Sequence, residues 1–122
     1  MAVSLVAIAS NDQITSVSDS GTTTDTLYTS TGVATQINSI TVTNTSTSQL
    51  FVSFWILPSG VAASSVPATW TQFIPAGGGG ALDATAIVSG LLGQVIPMGG
   101  TLKCDAGVTN VGYVTASGIA VS

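Results

Sequence analysis

The sequence predicts an all-β fold: a single β-sandwich, jelly-roll or immunoglobulin-like, of roughly seven to eight strands, with a barrel as the alternative closure. Three observations carry this. Apolar and polar residues alternate with a period of two in 37–43, 101–108 and 111–121, the pattern of half-buried strands. The strong helix formers Glu and Arg are absent, and Lys occurs once, at Lys103. Clusters of Gly, Pro, Ser, Asn and Asp interrupt short apolar runs at spacings suited to an all-β domain.

The elements follow in chain order. Residues 3–9 read as a strand with Val3, Leu5 and Ala7 on one face. Residues 10–26 are polar, a long loop or a strand of weak register, and 26–29 and 32–35 are weak strand candidates. Residues 1–34 are therefore expected as an N-terminal arm or peripheral strands, and 35–122 as the sandwich core. In 37–43, Ile40 and Val42 face one way and Ser39, Thr41 and Thr43 the other. Residues 49–57 are apolar on both faces: Leu50, Val52, Phe54 and Ile56 on one, Phe51, Trp55 and Leu57 on the other. Such a strand needs cover on both sides, from its own core and from a further segment or subunit. Residues 66–74 carry Trp70 and Phe73, and 81–88 suggest a strand beyond the Gly77–Gly80 run. Residues 91–96 are ambiguous between strand and turn. Leu102, Cys104, Ala106 and Val108 alternate with polar neighbours. After a tight turn at Thr109-Asn110, Val111, Tyr113, Thr115, Ser117, Ile119 and Val121 share one face of a last strand. Val114, Ala116 and Ala120 form its narrow opposite face.

At 122 residues the chain is the size of one domain with one core. Only 5% of residues are charged, and 16 Ser and 18 Thr supply most of the polarity. Mean hydropathy is +0.61. One Lys and a net charge of −4 do not neutralise a phosphate backbone, so no nucleic acid is expected as a partner. The absence of His rules out a Ser-His-Asp triad and a histidine metal site, and a single cysteine rules out an intrachain disulfide. Too few acid–base groups remain for an enzyme, and no catalytic residue, cofactor or metal site is assigned. The opening run Met1–Ala9 has no cation and is short for a signal peptide, and no apolar run approaches the roughly 18 residues of a spanning helix. The expectation is a chain that starts at its native methionine, is made in a cytoplasm and has no membrane partner. A charge-poor, apolar surface fits a protein mostly buried in an assembly.

Several short motifs invite chemistry. Asp19-Ser20-Gly21 matches the loop string of aspartic proteases, but no buried apolar strand leads into it, and an Asx turn explains it. Gly77–Gly80 lacks the Lys-Ser/Thr pair of a phosphate loop. Asp12, Asp19 and Asp25 match no Ca²⁺-loop spacing and read as loop acids. Cys104, between Leu102 and Ala106, reads as a small buried hydrophobe. Tyr28, Trp55, Trp70 and Tyr113 suggest a sugar platform only if exposed, and Trp70 is the better candidate. Asn44-Thr45-Ser46 is a formal glycosylation acceptor, expected to be empty.

The order of turns carries a resemblance. Ile40-Thr41-Val42-Thr43-Asn44-Thr45-Ser46 leads into a long apolar strand ending Leu57-Pro58-Ser59-Gly60. Ile74-Pro75-Ala76-Gly77, Pro97-Met98-Gly99-Gly100-Thr101-Leu102 and Ser117-Gly118-Ile119-Ala120-Val121 follow. This resembles small β-sandwich virion proteins of tailed bacteriophages, over about two-thirds of the chain. The polar first 35 residues and the long glycine run depart from that pattern. The resemblance implies a virion structural protein made in the host bacterial cytoplasm. It implies a capsid decoration (cement) protein that stabilises the head lattice, or alternatively a neck, tail or fibre-associated protein or surface-glycan-binding module. The implied partners are further copies of the chain, a homotrimer, and the major capsid protein or another virion protein. The residues expected at such an interface are Val3, Leu5, Ala7, Phe51, Trp55, Leu57, Trp70 and Phe73.

Overall fold

The computed structural model describes residues 3–77 and 83–121, the last of them by its backbone alone. Among these residues are nine strands: β1 (Val3–Gln13), β2 (Asp25–Thr29), β3 (Ala34–Asn44), β4 (Leu50–Leu57), β5 (Trp70–Ile74), β6 (Ala84–Ile87), β7 (Val95–Ile96), β8 (Thr101–Ala106) and β9 (Gly112–Val121). Helix is limited to two single 3₁₀ turns, at 63–65 and 89–91. The strands form two antiparallel sheets packed as a sandwich. Sheet 1 runs β1-β9-β3-β6, with β7 also on β3, and sheet 2 runs β2-β8-β4-β5.

The predicted alternation sets the facing. Ile40 and Val42 of β3 and Val114 and Ala116 of β9 turn inward from sheet 1. Leu50, Val52 and Phe54 of β4 meet them from sheet 2, with Leu102, Cys104 and Ala106 of β8. The small face of β9 follows from crowding: a Cβ at Gly118 would sit 2.5 Å from the Gln36 carbonyl oxygen and 2.8 Å from Ile8 Cδ1. Ile37 is buried although it lies three residues from Ile40. A register shift between Ile37 and Ser39 reverses the side-chain parity there. A second shift in β1, between Ala7 and Ala9, keeps Val3, Leu5 and Ala7 outward yet turns Ile8 and Ala9 into the core.

The amino-terminal third belongs to both sheets. β1 pairs with β9 from Val3↔Val121 to Gln13↔Tyr113, and β2 pairs with β8. These strands lie at the periphery, as edges, but β1 lies along its own sheet and not free as an arm. Ile14, inside the polar stretch 10–26, is fully buried, and Val17 bridges Ala106. Val108, expected on the inner face of β8, lies past the end of that strand and is exposed. The ambiguous stretch 91–96 resolves into the end of a 3₁₀ turn and the two-residue β7. Gly78 to Leu82, which hold most of the glycine run and the start of the strand expected at 81–88, lie outside the described residues.

The apolar strand β4 is covered on both faces. Its outward Trp55 and Leu57 are 4% and 1% exposed. They pack beneath Ala63, Val61 and Ala68 of the segment that returns from β4 to β5. The Trp55 indole N–H donates to the Val66 carbonyl oxygen at 3.2 Å. The cover is thus a segment of the same chain.

Candidate functional site

The acidic residues are taken up locally. Asp25 accepts from the Thr15 N–H at 2.6 Å and from the Thr15 and Ser16 hydroxyls, each at 2.8 Å. Burial raises its pKa, but these donors outweigh that and hold it below the usual carboxylate value. Asp19 accepts from the Thr23 N–H at 2.9 Å, and Ser20 and Gly21 both have positive φ, so Asp19-Ser20-Gly21 is a turn. Among the described residues no cluster of three or more His, Cys, Asp or Glu side chains is arranged for a metal. Burial pushes the Cys104 thiol far above its ordinary pKa, which makes it chemically inert. The side chain of Asn44 is fully consumed within the fold. Its Nδ2 donates to the Ser48 and Pro75 carbonyls at 2.8 and 2.9 Å, and its Oδ1 accepts from the Ser46 N–H and hydroxyl.

Two features remain that can meet another molecule. One is the outer face of sheet 1. The strand registers place Leu5, Ile119, Gln36 and Val95 in one row across the sheet, with Ala7, Ser117 and Ser39 in the next. Thr115, Thr41 and Ile87 follow, then Gln13, Tyr113, Thr43 and Thr85. Hydroxyls pair along these rows, Ser39 with Ser117 and Thr43 with Thr85, each at 2.8 Å. The only charged residue in the five strands of this sheet is Asp12. Leu5 is 85% exposed, Val3 62% and Ile87 60%.

The other is a cavity of about 400 Å³ on the outer side of sheet 2, lined by Ser18, Ser20, Ser53, Trp55, Ser64, Val66, Pro67 and Ala68. Asp105 does not line it, but is the partner of the lining residue Ser53 in the β4–β8 register. The side chain is 0% exposed and neither carboxyl oxygen has a hydrogen-bond partner. Burial pushes its pKa up to about 6, with Asp19 and Asp25 adding repulsion. The Asp19 N–H and the Ser53 hydroxyl lean toward it and offset part of that rise, without completing a well-formed hydrogen bond.

The residues singled out from sequence are thus divided between surfaces. Val3, Leu5 and Ala7 lie on the open edge of sheet 1. Phe51 and Phe73 stack as a tilted pair, ring centroids 5.1 Å apart, on the outer side of sheet 2. Trp70 is partly exposed, but its ring lies against Gly90, where there is no room for a Cβ, and its N–H is bonded to Gln72. Trp55 and Leu57 are buried within the chain and present almost no surface. Asp105 was not legible as special, because strand alternation alone places it on a solvent face.

No family model matches the chain, and no curated protein does. Among solved structures, similar ones come from infectious bursal disease virus. For the T13 viral particle the TM-score is 0.47 at 15% identity, covering 98% of this chain and 31% of that one. For the Gx strain the values are 0.45, 18%, 98% and 32%. For the VP2 subviral particle they are 0.41, 15%, 98% and 32%. The chain spans about a third of the length of each. So distant a likeness leaves function to be argued from the residues themselves.

Proposed function

We propose that the chain is a structural protein of a bacteriophage particle, a capsid decoration protein that works as a homo-oligomer, a trimer, seated on the major capsid protein. The observation that carries this reading is the outer face of sheet 1. At about 3.3 Å per residue and about 4.8 Å between strands, the three long strands β1, β9 and β3 with the short β6 and β7 beside β3 offer on the order of 550 Å². That approaches the ~800 Å² each partner contributes to a standard stable interface. A face this large with one charged residue and exposed Leu5, Val3 and Ile87 is poorly suited to water and well suited to a permanent contact. Four of its hydroxyls already pair, Ser39 with Ser117 and Thr43 with Thr85, so covering those does not strand unsatisfied groups. The turn pattern that resembles phage virion proteins supplies the particle, the trimer and the decoration role.

The test is reconstitution. Purified protein is sized by sedimentation equilibrium and then mixed with emptied phage heads and with tails. The expected result is a concentration-dependent oligomer that pellets with heads, and loss of both properties in Leu5→Asp/Ile87→Asp. A protein that stays monomeric at high concentration and ignores heads would overturn the reading. Selective pelleting with tails would replace decoration by a tail-associated role.

A further inference from the structure

We propose that residues 16–21 form a pH-operated strap across the outer side of sheet 2, held closed while Asp105 beneath it is protonated and loosened when that carboxyl ionises. The device needs neither the particle reading nor the sheet 1 face.

Local pairing sets the course of the strap. Val17 bridges Ala106 in parallel, the Ser18 N–H donates to the Ala106 carbonyl at 2.7 Å, and the Ala106 N–H donates to the Ser16 carbonyl at 3.1 Å. Residues 16–18 thus lie along the flank of β8 that β4 does not occupy. Ser20 and Gly21, both at positive φ, then turn the chain. Gly21 reaches the segment that covers β4, where a Cβ would lie 2.8 Å from the Ala63 carbonyl. Between these two ends the chain crosses the outer side of β8 at Asp105, which shares that side with its partner Ser53. The Asp19 N–H, in mid-strap, leans toward the carboxyl. Asp105 is fully buried there, with no completed hydrogen bond to either oxygen.

Such a carboxyl tolerates burial as the neutral acid far better than as the anion. Opening the strap returns it to water and to an ordinary value of 3.8, against about 6 when covered. The closed strap therefore binds more protons than the open one. Its stability is complete below the ordinary value and declines as pH rises through about 6. A difference of about two units lowers the closed-to-open ratio by at most about a hundredfold. The neighbouring groups leave that sign intact. Asp19 on the strap and Asp25 on β2 add repulsion once Asp105 ionises. Tyr28 of β2 keeps its hydroxyl at Thr35, and β4 and residues 61–68 carry no titratable group. On β8 itself, Cys104 faces the core as an inert thiol, and Lys103 donates to neither Asp105 oxygen. Asp25 acts oppositely at the base of the strap: as the anion it accepts from Thr15 and Ser16, and that tie weakens as pH falls. The strap is thus tightest in mildly acid solution, where Asp25 is charged and Asp105 is not. Loosening withdraws Ser18 and Ser20 from the wall of the cavity they line.

The experiment is amide hydrogen exchange of the full chain, followed by NMR at several pH values and corrected for the intrinsic rate. The Ser18 and Ala106 amides report the strap, and the Thr45 and Val88 amides, bonded to the Val111 and Ile40 carbonyls, report the core. Strap amides should exchange faster than core amides and with less dependence on urea, through an opening smaller than global unfolding. Their protection should fall between about pH 4.5 and about pH 7.5, by at most about a hundredfold, in step with the titration of the Asp105 carboxyl carbon in the same sample. Asp105→Asn, its fold checked by circular dichroism, should remove the fall. Strap and core amides with one rate and one urea dependence would spread the effect of Asp105 over the whole fold and overturn the strap. Protection that stays constant while the Asp105 carboxyl titrates, or a carboxyl that titrates at the ordinary value, would overturn the proposal without any variant. A fall that survives in Asp105→Asn would assign the effect to Asp19 or Asp25 and overturn it as well.

Discussion

Replacing Asn44 by alanine should destabilise the sandwich by about 2–4 kcal/mol. The side chain is 0% exposed and ties three places together: the end of β3, the 45–49 turn, and Pro75 just beyond β5. Four hydrogen bonds are lost. Each contributes about 0.5–1.5 kcal/mol net, and carbonyls left dry add to the cost. For a domain of this size the melting temperature should fall by about 10 °C. The sharper variant is Asn44→Asp. It keeps the volume but turns the amide nitrogen, which serves the Ser48 and Pro75 carbonyls, into an acceptor facing two acceptors. Protonation restores a donor, so the folded state raises that carboxyl's pKa above its unfolded value. Native protein then binds more protons than unfolded protein, and the defect should be small at acid pH and grow as pH rises. Urea denaturation at several pH values reads this directly. An unchanged midpoint for Asn44→Ala, or a pH-independent defect for Asn44→Asp, would refute the account.

Four further outcomes follow from the same packing. Phe54→Ala, at the fully buried centre of β4, should cost about 3–5 kcal/mol in chemical denaturation. Asp105, raised to about 6, stabilises the fold at pH below the unfolded carboxyl value, and that contribution is lost as pH rises toward 6. Asp105→Asn should abolish that loss. Asp25, held low by Thr15 and Ser16, acts oppositely: its contribution is present above the unfolded value and lost as pH falls, so Asp25→Asn should lower stability at neutral pH and flatten the acid limb. Cys104 should react with a thiol reagent only at the rate of unfolding, and fast labelling of native protein would contradict its burial.

The legible parts of the fold were those written in hydropathy. β3, β4, β8 and β9 each carry period-two alternation or a doubly apolar run, because one or both faces must leave water. Residues 10–26 were illegible for the opposite reason. Their order comes from hydrogen bonds between positions far apart, such as the Ser18 N–H to the Ala106 carbonyl, and from Asp25 gathering Thr15 and Ser16. No local periodicity records such contacts. The same holds for Asp105. Alternation placed it outward, and only the cross-strand register and the covering segments reveal that outward here means buried. The apolar Trp55–Leu57 face did announce a cover, but it could not say whether the cover belonged to this chain or another.

That distinction yields a separable test of the two outer faces. Over Trp55 and Leu57, sheet 2 is roofed by its own chain, so truncating Trp55 opens a cavity in a packed layer. Trp55→Ala should cost about 3–5 kcal/mol, and the loss should not depend on protein concentration. Among the described residues, none roofs the edge of sheet 1 at Val3 and Leu5. Leu5→Ser removes a side chain already 85% exposed, so the monomer should change by no more than about 0.5 kcal/mol. If β1 meets another copy, however, Leu5→Ser should shift the monomer–oligomer equilibrium strongly and make the melting temperature less dependent on concentration. Analytical ultracentrifugation with calorimetry over a hundredfold dilution separates these effects. A Leu5→Ser variant that melts earlier at every dilution, with association intact, would place Leu5 in the stability of the monomer and move the interface off sheet 1.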